Sequence, residues 1–346
     1  MNHIEIGTPA VLPLAFAKMD VDEVEKAVML GITLQHPPIH YVVGKNKDLK
    51  AYGPRAHVAR RFVRAYVASS GAEVSAEIKI ENTSPALVGF GSDPLLALSS
   101  AQAMAWVNDH DYEDSATLAQ HVGVGADDAL AYWSFQEGGV LLVEMASEDG
   151  AMPKLLRRYH LEHQAHLAWA INFHFPLNPN DAPDSLEQDR YALVKAAADA
   201  MPSESGNIIN DVLWPALEND DIETFGSALM QLREMNLRQL GQSAEWQAPN
   251  EHAENVMRIM RENGAVAAGE SYTGIAVFSF VRGSLLSQQI RAALMKQIGY
   301  FKGQFEHTVT DNDGSRLTVK DAAMPKLHRL PNTRAGITGP NRRTHY

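Results

Sequence analysis

Two glycines, a serine and an aspartate lie close together in the stretch GFGSDP. Gly89 and Gly91 allow a tight turn or a positive φ, and they let an anionic ligand approach the backbone. Ser92 offers a hydroxyl group to a phosphate or to Mg²⁺. Asp93 is a favoured helix N-cap residue, and Pro94 suits the first helical position. The stretch therefore predicts a turn that directs a helix N-terminus towards an anion.

Other phosphate-binding loops fit this stretch poorly. A Walker loop ends in Gly-Lys-Ser/Thr, and the stretch contains no lysine. A dinucleotide-binding fingerprint needs a third glycine, whereas Leu95 and Leu96 stand near that position. A structural turn capped by Asp-Pro is the alternative to a phosphate loop.

The segments around the loop predict a mixture of strands and helices. Residues 74–81 alternate apolar and polar side chains, as a half-buried strand does, and residues 138–146 predict a buried strand. Helical periodicity covers residues 53–71 and 221–241, and an apolar, alanine-rich run predicts a buried helix over 95–109. Because strands and helices do not alternate strictly, the predicted fold class is α+β.

A linker rich in Pro, Asn and Asp, PLNPNDAPDSLEQDR, leads into a helix that we expect to start near Asp184 or Ser185. A chain of 346 residues is long enough for two domains. We expect an N-terminal domain over 1–178, a C-terminal domain over 179–325 and a basic tail or lid over 326–346.

The composition excludes several classes of protein. A net charge of −12 argues against a duplex nucleic-acid binder, which normally has a basic face. The chain has no cysteine, which rules out disulfides, thiolate metal sites and thiol nucleophiles. We see neither a signal peptide nor an apolar run long enough to span a membrane. The expectation is a cytoplasmic protein that does not bind membranes.

Four motifs follow one another in a distinctive order. They are TPA at residues 8–10, GFGS at 89–92, WPAL at 214–217 and GESYTG at 269–274. They resemble the opening Thr-Pro-Ala strand, the Gly-Leu-Gly-Ser loop, a C-terminal helix pair and the late Gly-Gln-Ser-Ser-Trp-Gly loop of the β-ribofuranosylaminobenzene 5'-phosphate synthase family. That family belongs to the GHMP-kinase superfamily. The resemblance implies a two-domain GHMP-kinase-like fold, with the active site between the domains.

The chain departs from the family pattern at several positions. The differing residues are Val11-Leu12-Pro13 in place of Arg-Leu-His, Leu87 in place of a histidine, Asp93-Pro94-Leu95 in place of Gly-Thr-Gln, and Glu270 in place of a glutamine. The resemblance thus implies that pyrophosphate binding is retained and that the acceptor pocket is changed.

The family resemblance implies a specific reaction. Phosphoribosyl pyrophosphate loses pyrophosphate, a ring carbon of an aromatic carboxylic acid attacks the anomeric carbon, and carbon dioxide leaves. A related branch uses a pyrazole carboxylic acid in formycin-type C-nucleoside biosynthesis, and the altered acceptor motifs favour that branch. The alternatives are 4-aminobenzoate or 4-hydroxybenzoate as acceptor in methanopterin-type biosynthesis, an ATP-dependent small-molecule kinase of the same fold, and a noncatalytic ligand-binding protein.

The resemblance also suggests which residues bind the substrates. The expected substrate-binding residues are Gly89, Phe90, Gly91, Ser92, Lys154, Arg157, Arg158, Ser271, Tyr272 and Thr273. The three basic residues could hold phosphate or carboxylate, because arginine binds both in a bidentate manner. Their alternative interpretation is a solvated helix face.

Three carboxylates complete the predicted site. Asp93 and Glu144 are candidate ligands of Mg²⁺, which needs only one or two carboxylates beside phosphate oxygens. Glu270 and Glu144 are the candidate catalytic residues, with Glu270 as a base for the ring proton or for an amino group on the acceptor. Alternatively Asp93 is only a helix cap, Glu144 only a surface carboxylate, and Glu270 only an ion-pair partner. Base rates for oligomers favour a homodimer.

Overall fold

A computed structural model describes residues 3–110, 114–147, 150–162, 167–175, 186–299 and 303–321. The strands are β1 His3–Val21, β2 Val24–Lys45, β3 Lys50–Tyr52, β4 Ala76–Asn82, β5 Val140–Glu144, β6 Leu155–Tyr159, β7 Trp169–Phe175, β8 Ala267–Glu270, β9 Val277–Arg282, β10 Gln304–Thr308 and β11 Arg316–Lys320. The helices are α1 Ala56–Ser70, α2 Ser92–Val107, α3 Ser115–Val122, α4 Ala129–Gln136, α5 Leu186–Asp199, α6 Glu204–Asn207, α7 Trp214–Glu218, α8 Ile222–Leu240, α9 Glu251–Glu262 and α10 Ser284–Gln297. A 3₁₀ turn covers Ala126–Asp128, and a π-helical segment covers Ile208–Leu213. The predicted α+β class is confirmed.

A long antiparallel hairpin of β1 and β2 organises the first sheet. Its turn consists of Asp22 and Glu23, which both have positive φ, as a two-residue hairpin turn with right-handed twist requires. The strand order is β11-β1-β2-β4-β3, and β5 and β6 extend the sheet from the other half of β2. The hairpin therefore runs through the middle of the first sheet.

Both faces of β1 are covered by other elements. Val11 and Phe16 point into a core that contains residues of α2 and α4. Leu12 and Ala17 point to the opposite side, into a core shared with α8 and the second sheet. Because neighbouring residues of a strand face opposite sides, this explains why β1 is apolar almost throughout.

The second sheet is smaller and wholly antiparallel. Its strand order is β10-β7-β9-β8. Helices α8, α9 and α10 pack against it. The late glycine-rich stretch lies at the end of β8 and before β9, so this sheet positions it.

The connections cross the predicted domain boundary twice. Strand β7, residues 169–175, pairs with β9 in the second sheet although it precedes the predicted boundary. Strand β11, residues 316–320, returns to pair with β1 in the first sheet. Backbone pairing between distant segments decides this, and no local pattern reports it. The predicted tail, 326–346, and residues 176–185 of the linker lie outside the described residues.

Most of the predicted elements are confirmed within two or three residues of their ends. The periodic segments form α1, α2 and α8, and the two apolar runs form β4 and β5. The described part of the helix after the linker begins at Leu186. The interpretation of Lys154, Arg157 and Arg158 as a helix face is wrong, because Leu155–Tyr159 pairs with β5 as strand β6. None of the described helices is long and apolar enough to cross a membrane.

Candidate functional site

The glycine loop, residues 89–92, leads directly into helix α2. Gly89 has a φ of +81° and Gly91 a φ of +64°, so both adopt the predicted positive-φ geometry. A Cβ atom at Gly91 would lie 2.8 Å from Val11 Cγ1, and a Cβ atom at Gly89 would overlap Ser271 Oγ. Both positions therefore require glycine for conformation and for space.

Helix α2 begins earlier than the sequence predicts. Its first residue is Ser92 and its N-cap residue is Gly91, so the prediction of Asp93 as the N-cap is wrong. The left-handed backbone of Gly91 already ends the loop, which places Asp93 in the first helical turn. Ser92 is fully buried, and its Oγ atom has no hydrogen-bond partner within the described part of the chain.

Two arginines hold the carboxylate of Asp93. The Nη2 atom of Arg55 forms an ion pair with Asp93 Oδ1, and Arg61 Nη2 lies 3.4 Å from Asp93 Oδ2. Arg55 precedes α1 in a left-handed conformation with φ of +55°, and its side chain is only 14% exposed. Its Nη1 atom is buried without an acceptor among the described residues. Neither arginine was among the predicted site residues, although Arg55 directly follows a Gly-Pro pair at a predicted helix start.

The late loop, residues 270–274, is fastened to the glycine loop. The N–H of Ile275 donates to the carbonyl oxygen of Leu87 over 3.1 Å. The hydroxyl of Ser271 donates to the carbonyl oxygen of Gly89 over 3.2 Å. The two glycine-rich motifs therefore meet, as expected for one site between the two sheets.

Besides Ser92, three predicted substrate-binding side chains are buried in the protein interior. Ser271 and Tyr272 are each 1% exposed, and Phe90 is fully buried with its ring 5.2 Å from that of Phe173. These side chains position the loops, and none of them lies on the surface. Thr273, the third predicted residue of the late loop beside Ser271 and Tyr272, is partly exposed and remains accessible.

A buried polar pair on α8 fixes the late loop to β1. Arg233 donates to the carbonyl oxygens of Leu14 and Glu270, at 3.2 and 2.6 Å, and its guanidinium stacks on the ring of Tyr272. Asn236 binds both backbone groups of Phe16. The backbone groups of Phe16 are available because β11 pairs with β1 only over His3–Gly7, so this edge of β1 has no described strand partner at Phe16.

Glu270 is buried at the end of β8, next to this pair. Burial raises the pKa of its carboxyl to about 7, although the positive charges of Arg190 and Arg233 oppose the shift. Arg190 lies on α5 and also donates to the carbonyl oxygen of Gly274. A carboxyl group with a pKa near neutrality is suited to proton transfer, and the role of Glu270 as a base stays a prediction.

Glu187, in the first turn of α5, contacts the glycine loop. Its Oε1 accepts a hydrogen bond of 2.8 Å from the N–H of Gly89. Burial raises the pKa of the Glu187 carboxyl to about 7, and the nearby charge of Asp93 adds to the rise. The bond to Gly89 and the charge of Arg55 oppose it. The sequence analysis missed Glu187, because no local signal relates residues that lie 98 positions apart.

Glu144 does not lie with the glycine loop. It pairs with Val28 on β2, which pairs with Ala17 on β1. The loop contacts β1 at Val11, whose N–H donates to the carbonyl oxygen of Phe90. Along β1, Val11 and Ala17 are six residues apart, which corresponds to roughly 20 Å at about 3.3 Å per residue. The structure therefore does not bring Glu144 and Asp93 together as ligands of one ion.

The three basic residues near β6 have other partners. Arg158 forms an ion pair of 2.6 Å with Glu137 and also donates to the carbonyl oxygens of Glu137, Gly138 and Asn312. The guanidinium of Arg157 lies over the ring of Trp214. Lys154 is exposed, and its Nζ atom is 3.5 Å from Asp22 at the hairpin turn. None of these contacts places the three residues beside the glycine loop.

The residues at the loop fit a Mg²⁺ ion that takes most of its ligands from phosphate oxygens and water. Among the described residues, no three His, Asp or Glu side chains are grouped so as to hold a metal ion. However, Mg²⁺ commonly takes most of its ligands from phosphate oxygens and water and few from protein. The unpartnered Oγ of Ser92 and the carboxylate of Asp93 could supply these few ligands.

Comparisons with known proteins show which fold this is. No protein-family model matches the chain, and no curated protein matches its sequence. Solved structures do match. Mevalonate kinase from L. major, in complex with R-mevalonate, has a TM-score of 0.63 at 11% identity, covering 89% of this chain and 96% of that one.

Two further structures match over nearly their whole length. Mevalonate diphosphate decarboxylase from Staphylococcus aureus has a TM-score of 0.61 at 16% identity, covering 92% of this chain and 98% of that one. Homoserine kinase from Cytophaga hutchinsonii has a TM-score of 0.56 at 12% identity, covering 92% and 98%. The fold is that of the GHMP kinases. At these identities the match shows the GHMP-kinase fold and does not show which reaction this chain catalyses.

Proposed function

We propose that the protein is a C-glycoside synthase that joins phosphoribosyl pyrophosphate to an aromatic or heteroaromatic carboxylic acid of the pyrazole type. The bond between the anomeric carbon and the pyrophosphate oxygen breaks, and pyrophosphate leaves with the electron pair. The ring carbon that carries the carboxylate forms a bond to the anomeric carbon. Carbon dioxide then leaves, and the electron pair of its bond returns to the ring. The product is a C-riboside 5'-phosphate.

One observation carries the proposal: the glycine loop already holds an anionic oxygen. The N–H of Gly89 donates to a carboxylate oxygen, at the point where α2 begins. Backbone N–H groups and a helix N-terminus bind phosphate oxygens by the same interactions. Together with the motif resemblance, this contact supports the loop as the binding site of the pyrophosphate group.

The side chains around the loop suit a departing pyrophosphate. Arg55 has a buried Nη1 atom without an acceptor, and Arg61 lies beside it. Donors that are fixed in advance stabilise charge that develops on a leaving group. When bound, Mg²⁺ would neutralise part of that charge, with Ser92 and Asp93 as the residues that would hold it.

Glu270 is the proposed proton acceptor for an amino group on the attacking ring. A pKa of about 7 lets its carboxyl take up a proton and return it near neutral pH. Thr273, which remains partly exposed on the late loop, is proposed to contact the acceptor or the 5'-phosphate. An acceptor from the benzoate series, 4-aminobenzoate or 4-hydroxybenzoate, would use the same groups.

An ATP-dependent small-molecule kinase is the second candidate. Kinases are prominent among the structural neighbours, which favours it. Against it, the position after Ser92 is Asp93, whose carboxylate is held by two arginines. A kinase of this fold is expected to continue the loop as Ser-Ser-Ala, whereas this chain continues it as Ser92-Asp93-Pro94.

Mass spectrometry of reaction products tests both candidates. The protein is incubated with Mg²⁺, phosphoribosyl pyrophosphate and a panel of aminobenzoic, hydroxybenzoic and aminopyrazole carboxylic acids, with ATP in a parallel arm. We expect a product equal to acceptor plus ribose phosphate minus carbon dioxide, with one pyrophosphate released per product. Phosphorylation in the ATP arm would favour the kinase, and failure to consume phosphoribosyl pyrophosphate with any acceptor would contradict the synthase.

A pair of arginine variants connects that activity to the loop. Arg55→Ala removes a donor beside the loop and is expected to lower the rate by about 10- to 100-fold, because a hydrogen bond to a charged group contributes about 1.5–3 kcal/mol. Arg64→Ala removes the same charge from an exposed position of α1 and serves as the matched control. Equal effects of the two substitutions would count against the assigned site.

A further inference from the structure

The carboxylate of Glu187 occupies the place on the glycine loop where an anionic ligand would bind. We propose that Glu187 is an internal competitor of the diphosphate group, and that a diphosphate binds when Glu187 takes up a proton and leaves the loop. The inference rests on the proposed function, because it assumes that this loop receives a diphosphate. It adds the residue that makes binding depend on proton uptake.

The contact between Glu187 and the loop has the form of an anion site. Oε1 accepts the N–H of Gly89 over 2.8 Å, and the backbone of Leu87 also favours the ionised carboxylate. Leu87 and Gly89 both have positive φ, at +66° and +81°. Backbone N–H groups in turns of this kind can form concave sites that bind anions.

Two further polar atoms near the loop remain without partners. Ser92 Oγ is fully buried at the first position of α2, and Arg55 Nη1 is buried beside Asp93; neither has a partner among the described residues. A buried polar atom without a partner costs about 1–3 kcal/mol. A ligand with more oxygen atoms than one carboxylate would satisfy these atoms in addition to the loop N–H groups.

The charges that face Glu187 come from three elements. Asp93 on α2 repels the ionised carboxylate, whereas Arg55 before α1 and the loop N–H groups attract it. On α5 itself, the guanidinium of Arg190 is directed to Gly274 and to the ring of Trp246. Burial outweighs the attraction and raises the pKa of Glu187 to about 7. Protonation near neutral pH therefore removes the negative charge that competes with a diphosphate.

The expected pH dependence follows from the ionised fraction. If only the protonated form admits the ligand, the apparent Kd is proportional to the reciprocal of the protonated fraction. With a pKa of about 7, roughly one molecule in eleven is competent at pH 8 and roughly nine in ten at pH 6. Glu187 therefore weakens binding by about tenfold between these pH values.

Calorimetric titration with inorganic pyrophosphate, at fixed Mg²⁺ and ionic strength, tests this. Glu187→Gln keeps an oxygen that accepts the N–H of Gly89 but has no charge. We expect it to bind about tenfold more tightly than the wild-type protein at pH 8 and equally at pH 6. Asp189→Asn removes the same charge from an exposed position of the same helix and is expected to match the wild type at both pH values.

Proton uptake gives an independent readout. Titrations at pH 8 in buffers of different ionisation enthalpy should show close to one proton more taken up by the wild type than by Glu187→Gln. Equal affinity and equal proton uptake of the two proteins at pH 8 would overturn the role of Glu187 while leaving the loop as a pyrophosphate site. Absence of pyrophosphate binding to either protein at both pH values would overturn the loop assignment, and with it both proposals.

Discussion

The two glycine-rich loops resemble each other in sequence and differ in how their polar atoms are used. In the glycine loop, the buried hydroxyl of Ser92 has no partner among the described residues, and Gly89 holds a carboxylate. In the late loop, the hydroxyls of Ser271 and Tyr272 both donate to protein oxygens. The first loop is thus equipped to bind a ligand, whereas the second fastens that loop in place. A shared composition of glycine and serine does not distinguish these two roles.

The largest effect is expected where the two loops touch. A Cβ atom at Gly274 would overlap the backbone of Val88 and Gly89, and backbone atoms cannot move aside as a flexible side chain can. We expect Gly274→Ala to lower the free energy of unfolding by about 3 kcal/mol or more, measured by denaturant unfolding. Gly7→Ala is the control, because no atom lies within 4 Å of its added Cβ. A stable Gly274→Ala protein would mean that the loops are not fastened together.

A smaller effect, which depends on pH, is expected at the base of the late loop. The pKa of Glu270 is raised to about 7 in the folded state, above the value of 4.5 for an unperturbed glutamate. The folded state therefore favours the protonated form, and the stability that this group contributes below pH 4.5 is lost as the pH rises through 7.

Glu270→Gln removes this titration. Relative to the wild type, the variant should gain up to about 3 kcal/mol of stability between pH 5 and pH 8, measured by unfolding at both values. Glu251→Gln, at an exposed position of α9, should show no such gain. A difference between Glu270→Gln and the wild type that is the same at both pH values would show that Glu270 does not titrate in this range.

The smallest effects are expected for substitutions of the two serines, Ser271 in the late loop and Ser92 in the glycine loop. Ser271→Ala removes a buried hydrogen bond to Gly89 and should cost about 1–2 kcal/mol of stability. Ser92→Ala removes a buried hydroxyl without a described partner, so stability should be unchanged or rise by about 1 kcal/mol while pyrophosphate binding weakens by several-fold. Unfolding and pyrophosphate titration on both variants check this. If instead Ser92→Ala lowered stability and Ser271→Ala weakened pyrophosphate binding, the late loop would bind the ligand and the glycine loop would fasten it.

The sequence predicted the elements better than it predicted the site. Periodicity located α1, α2 and α8 because each has a repeating apolar face, and the glycine spacing located the loop before α2. By contrast, β6 was mistaken for a helix face, since five residues are too few to show a period. Thr273 and Glu270 stay as predicted candidates, whereas Ser271 and Tyr272 proved to be buried.

The residues that the sequence missed are those that act across long separations. Arg55 reaches Asp93, and Glu187 reaches Gly89 from 98 residues further along the chain. Glu144 shows the converse case, since it is a predicted site residue at the end of β5 and still lies well away from the loop. Such distances depend on strand register and helix packing, which no local pattern contains.

By itself, the sequence determined the α+β class, the positive φ of Gly89 and Gly91, and the presence of a glycine turn before α2. These features follow from backbone sterics and from the spacing of apolar residues, which act over a few positions. The tertiary structure decided which carboxylate meets the loop, which arginines lie near it and which serine hydroxyl has no partner among the described residues. These features follow from packing between distant segments, because burial and neighbouring charge are set when the two sheets come together.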